Sequence, residues 1–286
     1  MRDGGVSRST SEMASHASHD FPIVLLTDFG YRDHYVGVVK GVIASLSPRA
    51  RVIDLTHGVP AQSIAAGAIA LAQSWRYFPA RTVFMAVVDP GVGTSRAPIA
   101  IETRAGARFV GPDNGLLSLA VEDAGLKRAV KLNSSRHRLS DVSSTFHARD
   151  IFAPAAAYLW RGTPFSSLGQ STRAIESLKL PSPVQSEREL RGEVIYVDGF
   201  GNLVSNIDRT AAARFQARFR AKTLSVRIKR SAAMQILDAY GRAPRGVPLA
   251  IFGSFGLLEV AVRDGNASAH FAAGPGSPLS LVARAR

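Results

Sequence analysis

From Phe21 to about residue 180, short β-branched runs alternate with longer alanine-rich or amphipathic segments. That alternation is the pattern of a parallel sheet covered by helices. Strands are expected at 22–28 (PIVLLTD), 51–57 (RVIDLTH) and 82–89 (TVFMAVVD), with helices over 35–46 and 63–78 between them. The third of these runs is apolar at nearly every position, as suits a strand buried on both faces at the centre of a sheet. Strand pieces PIAIET, ARFVG and AVKLN follow, with helices over 115–124 and through DIFAPAAAYLW. At 181–190 the character changes to proline, serine and charge (PSPVQSERE), the composition of a linker. Beyond it lie mainly short strands, RGEVIYVD, LVSNI, TLSVRI, PLAIF, LLEVAV and PLSLVA, which read as a small antiparallel barrel or sandwich.

The 286 residues are enough for one large or two ordinary domains. The chain has no cysteine, which removes disulfides, thiolate metal sites and a cysteine nucleophile together. Residues 1–20 are polar, with no apolar core of a signal peptide, and read as a disordered tail. No apolar stretch approaches the roughly 20 residues of a spanning helix, so a cytoplasmic protein without membrane contact is expected.

The formal charge of +13 invites a nucleic-acid reading. Only six of the 35 basic residues are lysines, a bias that often follows genomic base composition. One run does cluster: Arg209, Arg214, Arg218, Arg220, Lys222, Arg227, Lys229 and Arg230, with no acid between its ends. Phe215 and Phe219 could stack on single-stranded bases, but their helical spacing favours buried anchors under a solvated basic face.

In open α/β sheets, ligands sit beyond the carboxyl ends of the strands. The first strand ends in Thr27-Asp28-Phe29-Gly30, with Asp33 and His34 close behind; the central strand ends in Asp89-Pro90-Gly91-Val92-Gly93-Thr94-Ser95-Arg96. Asp89 closes the most apolar strand and needs a partner. Arg96, seven residues on across two glycines and a proline, can fold back to supply it, as a structural ion pair or as part of a site. His147 opens a helix within Thr145-Phe146-His147-Ala148-Arg149-Asp150, and Asp113-Asn114-Gly115 reads as turn chemistry. A metal hydrolase using Asp28, His57, Asp89, Asp113 and His147 is a minority reading, because the spacings match no standard ligand motif.

TDFG, VDPGVGTSR, GPDNGLL, TFHARDIFAPAAA and YVDGFGNLVSNI, in this order and spacing, resemble the S-adenosyl-L-methionine hydroxide adenosyltransferase family, hydrolytic relatives of the fluorinases and chlorinases. The resemblance runs from Phe21 to the end. It implies an α/β chain with a Rossmann-like N-terminal sandwich (21–180), a linker (181–190) and a smaller C-terminal antiparallel β-barrel (191–286). It also implies a homotrimer with each substrate held between one subunit's N-terminal domain and its neighbour's C-terminal domain. The family's Asp, Arg and His that position water or hydroxide fall on Asp89, Arg96 and His147. The fluorinase carries tyrosine at the positions of Asp89 and His147 and a halide-contacting serine at that of Ala148, so this chain sides with hydrolysis.

By the same resemblance, Asp28 grips the ribose hydroxyls, Phe146 lines the ribose end and Asp198 holds the methionine ammonium. Phe200 and Asn202 meet adenine, and Ser254 meets the methionine carboxylate. Two positions depart from the fluorinase: Gln62 stands near its ribose-side tryptophan, and Phe255 replaces its carboxylate-binding arginine, leaving that grip to backbone amides. The expected reaction turns S-adenosyl-L-methionine and water into adenosine and L-methionine, with no metal or cofactor. A halide-using adenosyltransferase is the nearest alternative, and a nucleic-acid-binding protein the alternative from another class.

Overall fold

The computed structural model describes residues 21–284, so the stretch read as a tail lies outside the described residues. The first sheet contains β1 (Ile23–Thr27), β2 (Val52–Thr56), β3 (Val83–Val87), β4 (Pro98–Thr103), β5 (Arg108–Pro112), β6 (Leu126–Lys131) and β7 (Gln170–Thr172). Their order across the sheet is β2-β1-β3-β5-β4-β6-β7. Four helices cover it: α1 (Tyr35–Leu46), α2 (Ile64–Ser74), α3 (Ser118–Ala124) and α4 (Ala153–Trp160). A π-helical turn, Ala148–Phe152, leads directly into α4.

The strands' two-residue period builds two cores. Ile23, Leu25, Val83, Met85 and Val87 face Val39 and Ile43 of α1 and the apolar residues of α4. Val24, Leu26, Phe84, Ala86 and Val88 face α2 and α3. A continuous apolar run such as 83–88 is thus explained by burial on both faces. Ser63 starts α2 by accepting a hydrogen bond from the Ala66 amide.

Only half of this sheet is parallel. β2, β1, β3 and β5 run together, whereas β4 is antiparallel to both β5 and β6, and β7 is antiparallel to β6. The cause is local: residues 104–107 between β4 and β5 are too few for the crossover that parallel neighbours need, so the two strands form a hairpin.

The second sheet contains β8 (Val184–Gln185), β9 (Glu189–Val197), β10 (Leu203–Asp208), β11 (Thr223–Ile228), β12 (Met234–Leu237), β13 (Pro248–Phe252), β14 (Leu257–Val262) and β15 (Pro278–Arg284). Pairing of β9 with β10 closes β10-β14-β13-β12-β11-β15-β9 into a seven-stranded barrel, with β8 added outside β9. Every pair is antiparallel except β12 with β13. The barrel is filled by residues such as Leu203, Val226, Ile228, Leu258, Val260 and Leu281. Val184, Gln185, Glu189 and Leu190, inside the stretch read as a linker, pair as strands.

Two short helices attach to the barrel, α5 (Arg209–Arg218) and α6 (Ala267–Phe271). All eight basic residues of the 209–230 run are exposed, while Phe215 is fully buried and packs its ring on Phe219 at 5.0 Å. Those phenylalanines anchor α5 to the barrel and are not a free stacking platform. No helix among the described residues is long and apolar enough to cross a membrane.

Candidate active site

In the order β2-β1-β3, the chain leaves β1 toward one side and returns through α2 to the other, with α1 and α2 on opposite faces. The crevice beyond the carboxyl ends of β1 and β3 is therefore the sheet's topological switch point, where ligands of such folds bind. Asp28 follows β1 there and Asp89 follows β3. Both line one cavity of about 750 Å³, together with Phe29, Tyr35, Phe146 and His147.

Arg96 folds back as its spacing suggests. Its Nε donates to Asp89 Oδ1 at 2.8 Å and its Nη2 donates to Asp89 Oδ2, a bidentate pair whose side chains are both more than nine-tenths buried. The same Nη2 donates to His147 Nδ1 at 3.0 Å. Because a guanidinium can only donate, His147 Nδ1 accepts, and the neutral ring carries its proton on Nε2. Burial pushes the His147 pKa below the ordinary histidine value; the Arg96 charge pushes the same way, and Asp89 and Asp150 oppose it.

The turn between Asp89 and Arg96 is fixed by Gly93. Its φ is +78°, and a Cβ there would collide with the carbonyl oxygen of Ser144, so only glycine lets this turn lie against the segment that delivers His147. That segment is pinned by Asp150, whose Oδ2 accepts from the Ser143 amide at 2.9 Å and whose Oδ1 accepts from Arg149 Nε at 2.6 Å. Burial would raise the Asp150 pKa, but these hydrogen bonds outweigh it and the net shift is downward.

Asp28 is oriented by backbone. Its Oδ2 accepts from the Gln62 amide at 2.8 Å, and Gln62 holds a left-handed φ of +63°, a conformation unfavourable for a side-chain-bearing residue. Behind Asp28 lies a buried relay. Thr27 Oγ1 accepts from the Phe29 amide at 3.2 Å, which leaves its hydroxyl proton for His57 Nδ1 at 2.7 Å. His57 is 1% exposed, and its Nε2 lies 3.2 Å from Asp54 Oδ1. Asp54 Oδ2 in turn accepts from Lys40 Nζ at 2.7 Å and the Tyr31 hydroxyl at 2.9 Å. Burial raises the Asp54 pKa, yet Lys40, His57 and Tyr31 together bring it below the ordinary carboxylate value.

The remaining expected residues gather elsewhere. Asp198, Phe200, Asn202 and Ser254 line a second cavity of about 910 Å³ against the barrel's outer face, with Tyr240, Phe255 and Glu259. Asp198 organises its own turn: Oδ1 accepts from the amides of Phe200 and Asn202, and Oδ2 accepts from Asn202 Nδ2. Phe200 is left 81% exposed. The expected residues of one chain thus divide between two cavities.

Of the residues of the metal reading, Asp28, Asp89 and His147 line one cavity, whereas Asp113 and His57 lie outside it. Asp113 accepts from the Glu176 amide, and His57 is committed to its relay. Among the described residues, no group of three or more histidines and acids is placed to hold a metal ion. Asn114 serves structure, donating to the Val88 carbonyl beside Asp89 and accepting from the Leu116 amide. Sequence reading missed the aromatic wall of Phe29 and Tyr35, whose rings meet Phe146 at 6.1 and 5.3 Å. It also missed the role of His57 and the Tyr240–Glu259 pair. The last had a visible signal, an acid inside the otherwise apolar strand LLEVAV.

Comparison with known proteins shows the family. Residues 23–169 match the SAM hydroxide adenosyltransferase N-terminal domain, and residues 192–280 match the corresponding C-terminal domain. The chain is 38% identical over 268 residues to the (R)-S-adenosyl-L-methionine hydrolase of Thermus thermophilus, covering 91% of this chain and 99% of that protein. It is 40% identical to the protein of the same name from Salinispora arenicola, covering 91% and 97%. A fluorinase of an Actinoplanes species is more distant, 27% identical with 66% and 72% covered. The crystal structure of an uncharacterized conserved protein from Thermotoga maritima superposes with a TM-score of 0.83 at 36% identity, covering 91% of this chain and 99% of that one. With both of its domains matched and its switch-point residues in place, the chain belongs to the SAM hydroxide adenosyltransferase family.

Proposed function

We propose that this protein hydrolyses S-adenosyl-L-methionine to adenosine and L-methionine. The observation that carries this reading is the linked Asp89–Arg96–His147 contact beside Asp28 at the switch point. In the reaction a water-derived oxygen forms the bond to ribose C5′, the C5′–S bond breaks with its pair passing to sulfur, and one proton is released. Sulfonium is a good leaving group, so the protein's work is to hold the oxygen in line in a partly dry cavity. His147 contributes its Nε2–H as a donor to that oxygen, and Asp89 accepts from it, with Arg96 tying the two together. Removal of a proton by His147 Nδ1 would require giving up the Arg96 bond.

Asp28 holds the ribose hydroxyls, backed by Phe146. Asp198 holds the methionine ammonium, Phe200 and Asn202 meet adenine, and Ser254 meets the carboxylate. Since these groups divide between two cavities, the complete site forms in a homotrimer, where the barrel half-site of one subunit covers the switch-point half-site of its neighbour. The exposed Phe200 and Phe255 suit such a covered surface. The reaction uses no metal or cofactor in this reading and takes place in the cytoplasm.

The Thermus thermophilus and Salinispora arenicola relatives are named (R)-S-adenosyl-L-methionine hydrolases, and the same preference for the R epimer is proposed here. The test is incubation of pure protein with the R and S epimers separately, with and without chloride, followed by chromatography. Adenosine and methionine in equal amounts, faster from the R epimer, are expected. 5′-Chloro-5′-deoxyadenosine as the main product would replace hydrolysis by halogenation.

A further inference from the structure

Glu259 is one of three acids lining the barrel cavity, with Asp198 and Asp264, and nothing above gives it a role. It is 9% exposed, on the outward face of β14, between neighbours Leu258 and Val260 that fill the barrel. The Tyr240 hydroxyl donates to its Oε2 at 2.9 Å. Its Oε1 lies against Gly253, so close that a Cβ on that glycine would collide with it. Glycine at 253 therefore makes room for this carboxylate directly beneath the turn that carries Ser254.

Asp198, across the same cavity, has both oxygens engaged by its own turn. Glu259 accepts from a single group, at Oε2, so its Oε1 is a buried acidic oxygen with unused accepting capacity. The cavity's arginine does not neutralise it: Arg263 Nη1 donates to the carbonyls of Gly241 and Ala243. Burial and the nearby Asp198 charge raise the Glu259 pKa, and Tyr240 is pushed up to about 12 by burial, its bond to Glu259 and the negative charge around it. Asp264 is paired with Arg245 and Arg263, but Asp198 and Glu259 face the pocket with no cation bonded to either, so they repel and an arriving ammonium relieves both.

We infer that Glu259 is a specificity-determining residue that shares the substrate's α-ammonium with Asp198, selecting an adenosyl sulfonium whose side chain ends in an amino acid. This rests on the function proposed above. A Tyr240-bonded buried carboxylate in the cavity that also holds Asp198, and not in the one that holds Asp89, reads the substrate tail, so it acts on binding and not on the C5′ step.

The test compares wild type with Glu259→Gln, which keeps shape and the Tyr240 partner, by calorimetric binding of S-adenosyl-L-methionine and of its analogue lacking the α-amino group. Expected is at least a roughly tenfold weaker grip on S-adenosyl-L-methionine in the variant, with the deamino analogue bound equally by both proteins. Gly253→Ala, which displaces the carboxylate but also adjoins Ser254, should weaken both ligands, S-adenosyl-L-methionine by the larger factor. Equal loss for both ligands, or no loss for either, overturns the inference and leaves Glu259 a structural support for Tyr240. Turnover is scored separately: binding discrimination without hydrolysis by wild type would overturn the proposed reaction while sustaining this role for Glu259.

Discussion

Asp89, Arg96 and His147 form one unit because a single nitrogen, Arg96 Nη2, serves both partners. Lysine at 96 would keep the charge but lose the planar fork. Arg96→Lys is therefore expected to lower kcat by about 100-fold or more while KM changes less than about threefold, measured by steady-state kinetics. His147 supplies a pH prediction. With its pKa lowered by burial and then by Arg96, the ring stays neutral to lower pH than a free histidine. Activity should accordingly fall on acidification with an inflection below the ordinary value of about 6.5. The stability sign agrees: the unfolded chain binds the proton first, so this contribution is present above the unfolded pKa and lost as pH falls through the folded one. In Arg96→Ala the repelling charge is gone and Asp89 still faces the ring, so the His147 titration followed by NMR should move upward. An inflection that stayed in place would remove Arg96 from the explanation.

At the scale of elements, the switch-point loops are held by few contacts, each of them specific. Gly93→Ala would force both the left-handed backbone and the Ser144 collision, so a loss of about 2 kcal/mol in urea unfolding is expected, with activity falling further than stability explains. His57 ties the end of β1 to the end of β2 through Thr27 and Asp54. His57→Ala leaves a buried hydroxyl and a carboxylate short of partners and should cost about 2–4 kcal/mol, whereas Thr27→Val, which deletes only the hydroxyl, should cost about 1–2. A full cost for His57→Ala with almost none for Thr27→Val would show that the ring's packing, and not its hydrogen bond to Thr27, holds the two strands. Strands such as TLSVRI and LLEVAV were legible from β-branched alternation, and Tyr35–Leu46 from its helical period. The short β12 was not, since four residues carry little periodicity, and its parallel pairing with β13 depends on how the barrel closes.

The whole molecule carries a complementation prediction. If sites form between subunits, Asp89→Asn and Asn202→Ala proteins, each inactive, should regain activity when unfolded and refolded together. Random mixing in a threefold ring leaves about a quarter of the sites with two intact halves. Light scattering should report a trimer throughout. Recovery of nothing from a properly mixed trimer would place both half-sites within one subunit. The exposed 209–230 arginines and lysines sit on the barrel and α5, away from both half-sites' lining. A cationic substrate has no use for them, and Asp28, Asp89, Asp198 and Glu259, in the lining of the two cavities, are the charges suited to it.

The sequence by itself determined the layers and the roster. Periodicity distinguishes strand from helix because each buries a different set of neighbours, and the motifs around Asp28, Asp89, Arg96 and His147 name chemistry through residue type and local spacing. Only the tertiary structure decided which of these groups touch. Arg96 meets His147 across 51 positions of chain, and Thr27 meets His57 across 30. Such contacts follow from strand order and helix docking, to which no local pattern responds. The parallel pairing of β12 with β13 and the free oxygen of Glu259 belong to the same class, because each is set by what packs around the residue and not by what adjoins it in the chain.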